Sequence, residues 1–523
     1  MTTSYLPVRT LVSATPPWLP AIAAALLVSL VVPQGADWPA QLFRVELFRQ
    51  EGFELWNGQW YSGHPTAGYS VLFPPLGAVF GVTAVGIGSV LVATVCFHQI
   101  TRYIVGTQAR LASVVFGLAL VANLVVGRIT FGLGLAVGLA ALLALQRGRW
   151  ILGPLLVVAT PLASPVAGVF LALALMAWGA DEAIERDRSR AWRLAGASAL
   201  ALAPIAATAV VFPSGGSYGF PLSWAVSILI AGAALLVLAR HTGFRALAIG
   251  AVLYLVLAAA VLAIPNPLGG NVWRLAMFFA VPVGLMLLSP QQRKLAAALA
   301  ALGLVWAWMP AAVSVAQVHG DPSASREFHQ PLITQIKSAR GPVGRVEIPF
   351  TKNHWEAFHV AAELPLARGW ERQADRGLNQ LFYEPQLTAG DYRRWLDLNA
   401  VRWVALPLVG LDSHAETEGA LLARNPSWLT PVWTNQNWRL YEVVDATPMA
   451  SPPAGRISHT PTEVAFTMPR RGAVHVRVRH SRHWSLSVGS GCVARASDGM
   501  LLVLVREPGR VQLKQGFYPG SSC

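Results

Sequence analysis

Apolar runs of roughly twenty residues, each long enough to cross a bilayer as a helix, follow one another along the chain to about Ala316 and then cease. The first is Pro17 to Pro33. The next lie within Pro74 to Tyr103, in Leu111 to Val126 and in Phe131 to Leu145. The run Ile151 to Trp178 is interrupted by ATPLASP. Proline removes a helical hydrogen bond, so this run predicts two short helices or one kinked helix. Leu194 to Val211, Leu222 to Leu238, Ala246 to Ile264, Leu275 to Leu288 and Leu295 to Val315 complete the series. Counting the broken run as two crossings gives about eleven spans.

Beyond residue 316 the period changes. RVEIPF and VRWVALP are short apolar strands, DYRRWLDL between them is an amphipathic helix, and WRLYEVV is a further strand. From residue 456 the chain turns all-β: EVAFTM, AVHVRVR, WSLSVG, LLVLVRE and RVQLKQGF alternate with period two, and turns such as SDG and EPG separate them. The expected organisation is a polytopic α-helical membrane domain over 1–316, an α/β domain over 317–455 and a β-sandwich-like module over 456–523. Such a module binds a glycan, or only caps and orients the membrane part; fold alone does not decide.

Composition agrees with the membrane class: 54% of residues are hydrophobic and 13% charged, with a mean hydropathy of +0.47. The net charge of +14 changes less than its size suggests. Much of the basic excess sits in short loops between spans. With Arg9 inside, Arg102/Arg110, Arg147/Arg149, the run Arg186 to Arg193, Arg240/Arg245 and Arg293/Lys294 also fall inside. The parity holds only if the Pro-broken run crosses twice. It places the first long loop and the C-terminal domain outside the cytoplasm of a multi-pass inner-membrane protein. Nucleic acid is not an expected partner, because the tail has no basic run interleaved with aromatics. The first run also has the basic start of a signal peptide. PQGAD is a poor cleavage site, however, and an uncleaved anchor suits the topology. Cys96 reads as a small buried hydrophobe. Cys492 and Cys523 share the outer domain, where a bridge and two free thiols are both open.

The informative loop is Gly35 to Pro75, GADWPAQLFRVELFRQEGFELWNGQWYSGHPTAGYSVLFPP. It is long and aromatic, and it carries Asp37, Glu46, Glu51 and Glu54. An ionisable group held at a membrane face is a candidate functional group. Asp37 equally suits the cap of a helix beginning at Trp38 or Pro39. The three glutamates suit a solvated face or partners of Arg44 and Arg49. Trp56, Trp60 and Tyr61 suit interfacial anchoring or stacking on a sugar. His64 suits a turn or a substrate contact. Arg128 and Arg274, each at the outer start of a span, suit snorkelling to the interface or binding of phosphate. In the tail, ARGWERQADRGLNQLFYE gathers Trp370, Glu371, Arg372, Gln373 and Asp375 into a polar surface loop or an acceptor-contact loop.

An Asp just past the first span, LWNGQWYSGHP followed by FPPL, the interrupted mid-chain helices and GNVWRLAMFFAVPVGLML together resemble integral-membrane glycosyltransferases of the GT-C superfamily, including its actinobacterial arabinosyl- and mannosyltransferases. The resemblance implies inverting glycosyl transfer from a polyprenyl-phosphate sugar donor to an envelope glycan or glycolipid acceptor, carried out in the lipid bilayer. It implies Asp37 as base, Arg128 and Arg274 at the donor phosphate, and Glu54, Trp56, Trp60, Tyr61, His64, Trp370 and Arg372 as substrate contacts. The family often pairs two acids in the first loop. This chain has a lone Asp37, so no cofactor is certain and a divalent metal stays open. Two other classes remain: a lipid or polysaccharide transporter or flippase, and a non-catalytic scaffold for envelope assembly. Against a transporter, the spans carry almost no charge and the halves show no repeat.

Overall fold

The computed structural model describes residues 15–32, 34–212, 216–518, 520 and 522–523. Arg9 and Pro33, used above for orientation and for the end of the first span, lie outside them. The chain forms two compact units. One comprises Met1–Gln34, Val79–Ala207 and Tyr218–Val315; the other comprises Gly35–Ala78, Thr208–Ser217 and Ala316–Cys523.

The first unit is helical. Among the described residues seven helices are long and apolar enough to cross a membrane. The longest, Val82–Val126, is two helices, Val82–Val105 and Ala109–Val126, joined by a 3-10 turn at Gly106–Gln108. Leu19–Val31, Leu152–Ala163 and Trp273–Met286 are shorter. The broken run is two helices, Leu152–Ala163 and Pro165–Ile184, because Ser164 is extended at φ −157° and Pro165 opens the second. The shorter one, at 1.5 Å per residue, reaches only about 18 Å.

Small residues let these helices approach. A Cβ on Gly134 would lie 2.7 Å from both Ser164 and Ala167, and one on Gly117 would lie 2.7 Å from Ala21. The hydroxyls of Ser89, Thr94, Ser113 and Thr160 donate to carbonyls one turn back, so each is satisfied within its own helix. Outer faces are apolar: Leu229, Ile230, Val237 and Val305 are all more than half exposed. An apolar exterior over apolar contacts belongs in hydrocarbon, not in water.

The second unit is α+β, and its first strands, β1(Trp56–Asn57) and β2(His64–Pro65), form a short antiparallel pair. A mixed sheet runs β3(Arg345–Glu347)-β4(Val401–Pro407)-β6(Trp438–Val443)-β5(Leu429–Thr434), with only the β3–β4 pair parallel. Helices Arg326–Ser338 and Ala389–Leu398 bury Phe328, Leu332, Ile333, Tyr392 and Trp395 in its cores. The C-terminal strands make two further sheets, ordered β10(Trp484–Val488)-β13(Gly509–Gln515)-β8(Glu463–Met468)-β7(Ser458–His459) and β11(Gly491–Arg495)-β12(Met500–Val505)-β9(Gly472–Arg479). Alternate residues, among them Val464, Phe466, Val474, Val476, Val503 and Leu513, form one shared core. Cys492 and Cys523 are bridged, so the two thiols left open above form a disulfide.

Loop 35–78 belongs to this second unit. Gly58 N–H donates to Pro461 O (2.6 Å), and Leu366 N–H donates to Gln59 O (2.8 Å). Ser62 Oγ donates to Asn399 Oδ1 (2.8 Å), and Arg479 Nε donates to Tyr61 O (2.7 Å).

Candidate active site

Asp37 directly precedes the helix Trp38–Glu51, with φ −87° and ψ −9°. Its carboxylate makes no capping hydrogen bond to that helix. Trp38 N–H donates to Gly35 O instead, and Pro39 needs no acceptor. The capping reading of Asp37 therefore fails; the residue is half-buried. The preceding carbonyl, Ala36 O, accepts from Trp370 Nε1 at 2.8 Å. The His354 ring packs on Trp370 with centroids 3.3 Å apart and planes 10° apart.

Behind Trp370 lies Asp412. It accepts from Arg372 through both oxygens, at 2.8 and 3.3 Å, and its Oδ2 lies 3.4 Å from His354 Nε2. Burial pushes His354 below its ordinary value, so the ring is neutral near pH 7. Burial alone would raise the Asp412 carboxyl. The hydrogen bond to His354 and the Arg372 fork bring it well below the usual range. Arg372 thus pairs with Asp412, lies 3.2 Å from His414 Nδ1 and reaches the Trp370 ring, 4.8 Å away.

The aromatic run of the loop takes neither of its expected roles. Trp60 and Tyr61 are fully buried, and Trp56 and His64 nearly so. Trp60 stacks on Phe43 at 4.2 Å and donates to Ala357 O at 3.1 Å. Tyr61 OH donates to Gly369 O (2.6 Å) and accepts from Glu371 N–H (2.8 Å). Trp56 meets Trp484 edge to face at 5.5 Å. Burial and the Arg44 charge push His64 down to about 3, which keeps it neutral between Trp60 and Tyr61. These four side chains are core, with no face open to a sugar or to lipid headgroups. Gly369 is required beside them, since a Cβ there would lie 2.4 Å from Trp60. Glu54 sits 3.8 Å from Lys514, and Glu51 accepts from Thr462 Oγ1 at 3.1 Å. Partial burial raises the Glu54 carboxyl despite that lysine.

In the helical unit, Arg128 and Arg274 come to the same end. Gly127, left-handed at φ +96°, stops the helix Ala109–Val126, and Ile129–Gln146 starts two residues later. Asn123 holds that corner: its Nδ2 donates to Arg128 O (3.0 Å), and its own carbonyl accepts from Arg128 N–H (3.2 Å). Arg274 stands in the first turn of Trp273–Met286, after a 3-10 turn at Gly269–Val272. Trp273 fixes that turn, stacking on Trp224 at 5.0 Å and donating to Ser227 Oγ at 2.9 Å. The Arg274 guanidinium lies 5.1 Å from the ring centre of Phe131, one turn from Arg128. Arg128 and Arg274 thus stand at the starts of two helices, Ile129–Gln146 and Trp273–Met286, that come together at Phe131, and a helix N-terminus favours an anion.

No three of His, Cys, Asp and Glu gather as a metal-binding set among the described residues. The residues missed by sequence reasoning are His354 and Asp412. They are 58 positions apart in unremarkable loops, TKNHW and GLDSH, and nothing in either signals the other.

No protein-family model and no curated protein matches this chain. Among solved structures it is similar to ArnT from Cupriavidus metallidurans in the apo state, at 13% identity and a TM-score of 0.46, over 82% of this chain and 98% of that one. It is also similar to the arabinosyltransferase EmbB from Mycobacterium smegmatis, at 11% identity and a TM-score of 0.34, over 99% of this chain and 64% of that one. At these scores the likeness transfers no residue role.

Proposed function

We propose that this chain is a membrane glycosyltransferase that moves a sugar from a polyprenyl-phosphate donor to an envelope glycan or glycolipid acceptor on the extracytoplasmic face. The observation that carries the reading is the position of Arg128 and Arg274 at the starts of two helices, with the Arg274 guanidinium beside Phe131 of the other, within an apolar helical unit. A lipid phosphate needs that combination: cationic forks and backbone donors for the head, hydrocarbon for the tail. The sequence resemblance to the GT-C superfamily points the same way.

In this reading Asp37 is the base. Its carboxylate accepts the proton of the acceptor hydroxyl while that oxygen forms its bond to the anomeric carbon. The bond from that carbon to the phosphate oxygen breaks on the opposite face, which inverts the configuration. The leaving phosphate takes the electron pair, and Arg128 and Arg274 offset the charge it gains. A transporter would need the same phosphate site but no base.

The test of the phosphate site is donor binding to the purified protein. Arg274→Ala is expected to weaken binding of a polyprenyl-phosphate sugar by roughly tenfold or more, the loss of a hydrogen bond to a charged group. Arg274→Lys recovers only part, because the planar fork is gone. Unchanged affinity in Arg274→Ala would reduce this residue to an interface anchor.

A further inference from the structure

Trp370 touches the backbone beside Asp37 through one atom. Its indole N–H donates to Ala36 O at 2.8 Å, on the peptide that leads into the proposed base. Its ring is fixed in turn. His354 packs on it at 3.3 Å, Arg372 reaches it at 4.8 Å, and Phe350 meets it edge to face at 6.0 Å. Asp412 ties His354 and Arg372 together from behind.

The clamp is anchored at strained backbone. His354 adopts φ +59°, a left-handed conformation that a non-glycine residue holds only when its surroundings impose it. Those surroundings are present: His354 N–H donates to Thr351 Oγ1 at 3.1 Å, and Thr351 Oγ1 in turn donates to Glu356 at 2.6 Å. Asp412 N–H donates to Phe350 O at 2.8 Å, which fixes the carboxylate that joins the two partners. Strain of this kind clusters at functional sites. Toward Asp37 it acts through the Trp370 ring that His354 packs on.

We infer that Trp370 is a positioning residue for Asp37, holding the Ala36 carbonyl while His354, Arg372 and Asp412 hold its ring. The inference rests on the reading of Asp37 as the base. It replaces the expected acceptor contacts of Trp370 and Arg372 with an indirect role. A base must stay within hydrogen-bond reach of the proton it takes, and displacement by about 1 Å can cost a hundredfold in rate.

The test is Trp370→Phe in the full-length protein, which keeps an aromatic ring and removes the N–H. Turnover is expected to fall about tenfold to a hundredfold, with KM for the donor within about twofold of wild type. Amide hydrogen exchange in residues 35–43 is expected to speed up by about fivefold, the loss of one ordinary hydrogen bond. Exchange in the strand β4 should stay unchanged, which separates local release from unfolding. Unchanged exchange around Ala36, or a KM that rises in step with the loss of turnover, overturns the inference. The exchange readout does not depend on chemistry. Faster exchange beside an Asp37→Asn variant that keeps full turnover would preserve the hold on the loop and refute the base. Asp412→Asn, which keeps the shape of the clamp and removes its charge, should give a smaller shift in the same two readouts.

Discussion

In the helical unit, the buried polar side chains described are neutral, among them Ser89, Thr94, Asn123 and Thr160. Gly117 and Gly134 bring helices together, the hydroxyls of Ser89, Thr94, Ser113 and Thr160 bond within their own helix, and Ser198 Oγ and Trp308 Nε1 tie helices together through the carbonyls of Ala172 (2.9 Å) and Leu118 (3.1 Å). In the unit made by loop 35–78 and the C-terminal segment, burial is full of charge. Arg368 is buried with Asp375 at 2.8 Å, Glu418 at 3.3 Å and Glu347 at 3.7 Å, while Phe350 and Phe382 lie within 4 Å of its guanidinium. The contrast follows the solvent each unit meets. Within hydrocarbon a helix already satisfies its backbone, and an added charge finds no water to fall back on. Outside it, a fold that draws a loop and a distant segment together can specify the junction with directional pairs, at a desolvation cost.

The largest effect that would sharpen this contrast is removal of the central cation. Arg368→Met leaves three carboxyl groups facing one another in a dry core. Loss of one partner from a buried ion cluster costs about 3–5 kcal/mol. Exchange protection of β4 in the full chain should fall by a corresponding factor, while the helices of the other unit keep theirs. Unaltered protection in β4 would mean that the cluster does not stabilise the unit.

A smaller effect is dependence on pH. Burial raises the Glu356 carboxyl to about 8 from its ordinary value of 4.5, with the Thr351 hydroxyl only partly offsetting it. The folded state therefore binds a proton that the unfolded chain has released. Stability from this group is complete below about pH 4.5 and is lost as pH rises through about 8. The slope for one proton is at most about 1.4 kcal/mol per pH unit. Glu356→Gln should flatten the decline between pH 5 and 8, read as the denaturation midpoint of the C-terminal unit. A decline of equal slope in that variant would assign the proton elsewhere.

The two units also differ in how much the chain discloses. The helices could be placed from hydropathy because one solvent, hydrocarbon, acts on every face in turn. The Leu222–Thr242 and Arg245–Ala263 helices begin and end within a few residues of the apolar runs that announced them. Strands β8, β9 and β13 were equally visible through their alternation. The placement of loop 35–78 was not. Trp56, Trp60 and Tyr61 read as surface aromatics because nothing local says that Ala357, Gly369 and Trp484 cover them. For the candidate site, Asp37, Arg128 and Arg274 stood out as charges beside apolar runs. His354 and Asp412 carry no such mark, since their pairing exists only in three dimensions.

The proposed mechanism turns on Asp37 as the base of a glycosyl transfer. Its most direct test is turnover of a labelled polyprenyl-phosphate sugar by purified Asp37→Asn, with donor binding measured on the same sample. The substitution keeps the size of the side chain and removes its basicity. Transfer is expected to fall by about a hundredfold or more with donor affinity intact. Wild-type turnover in Asp37→Asn would contradict it.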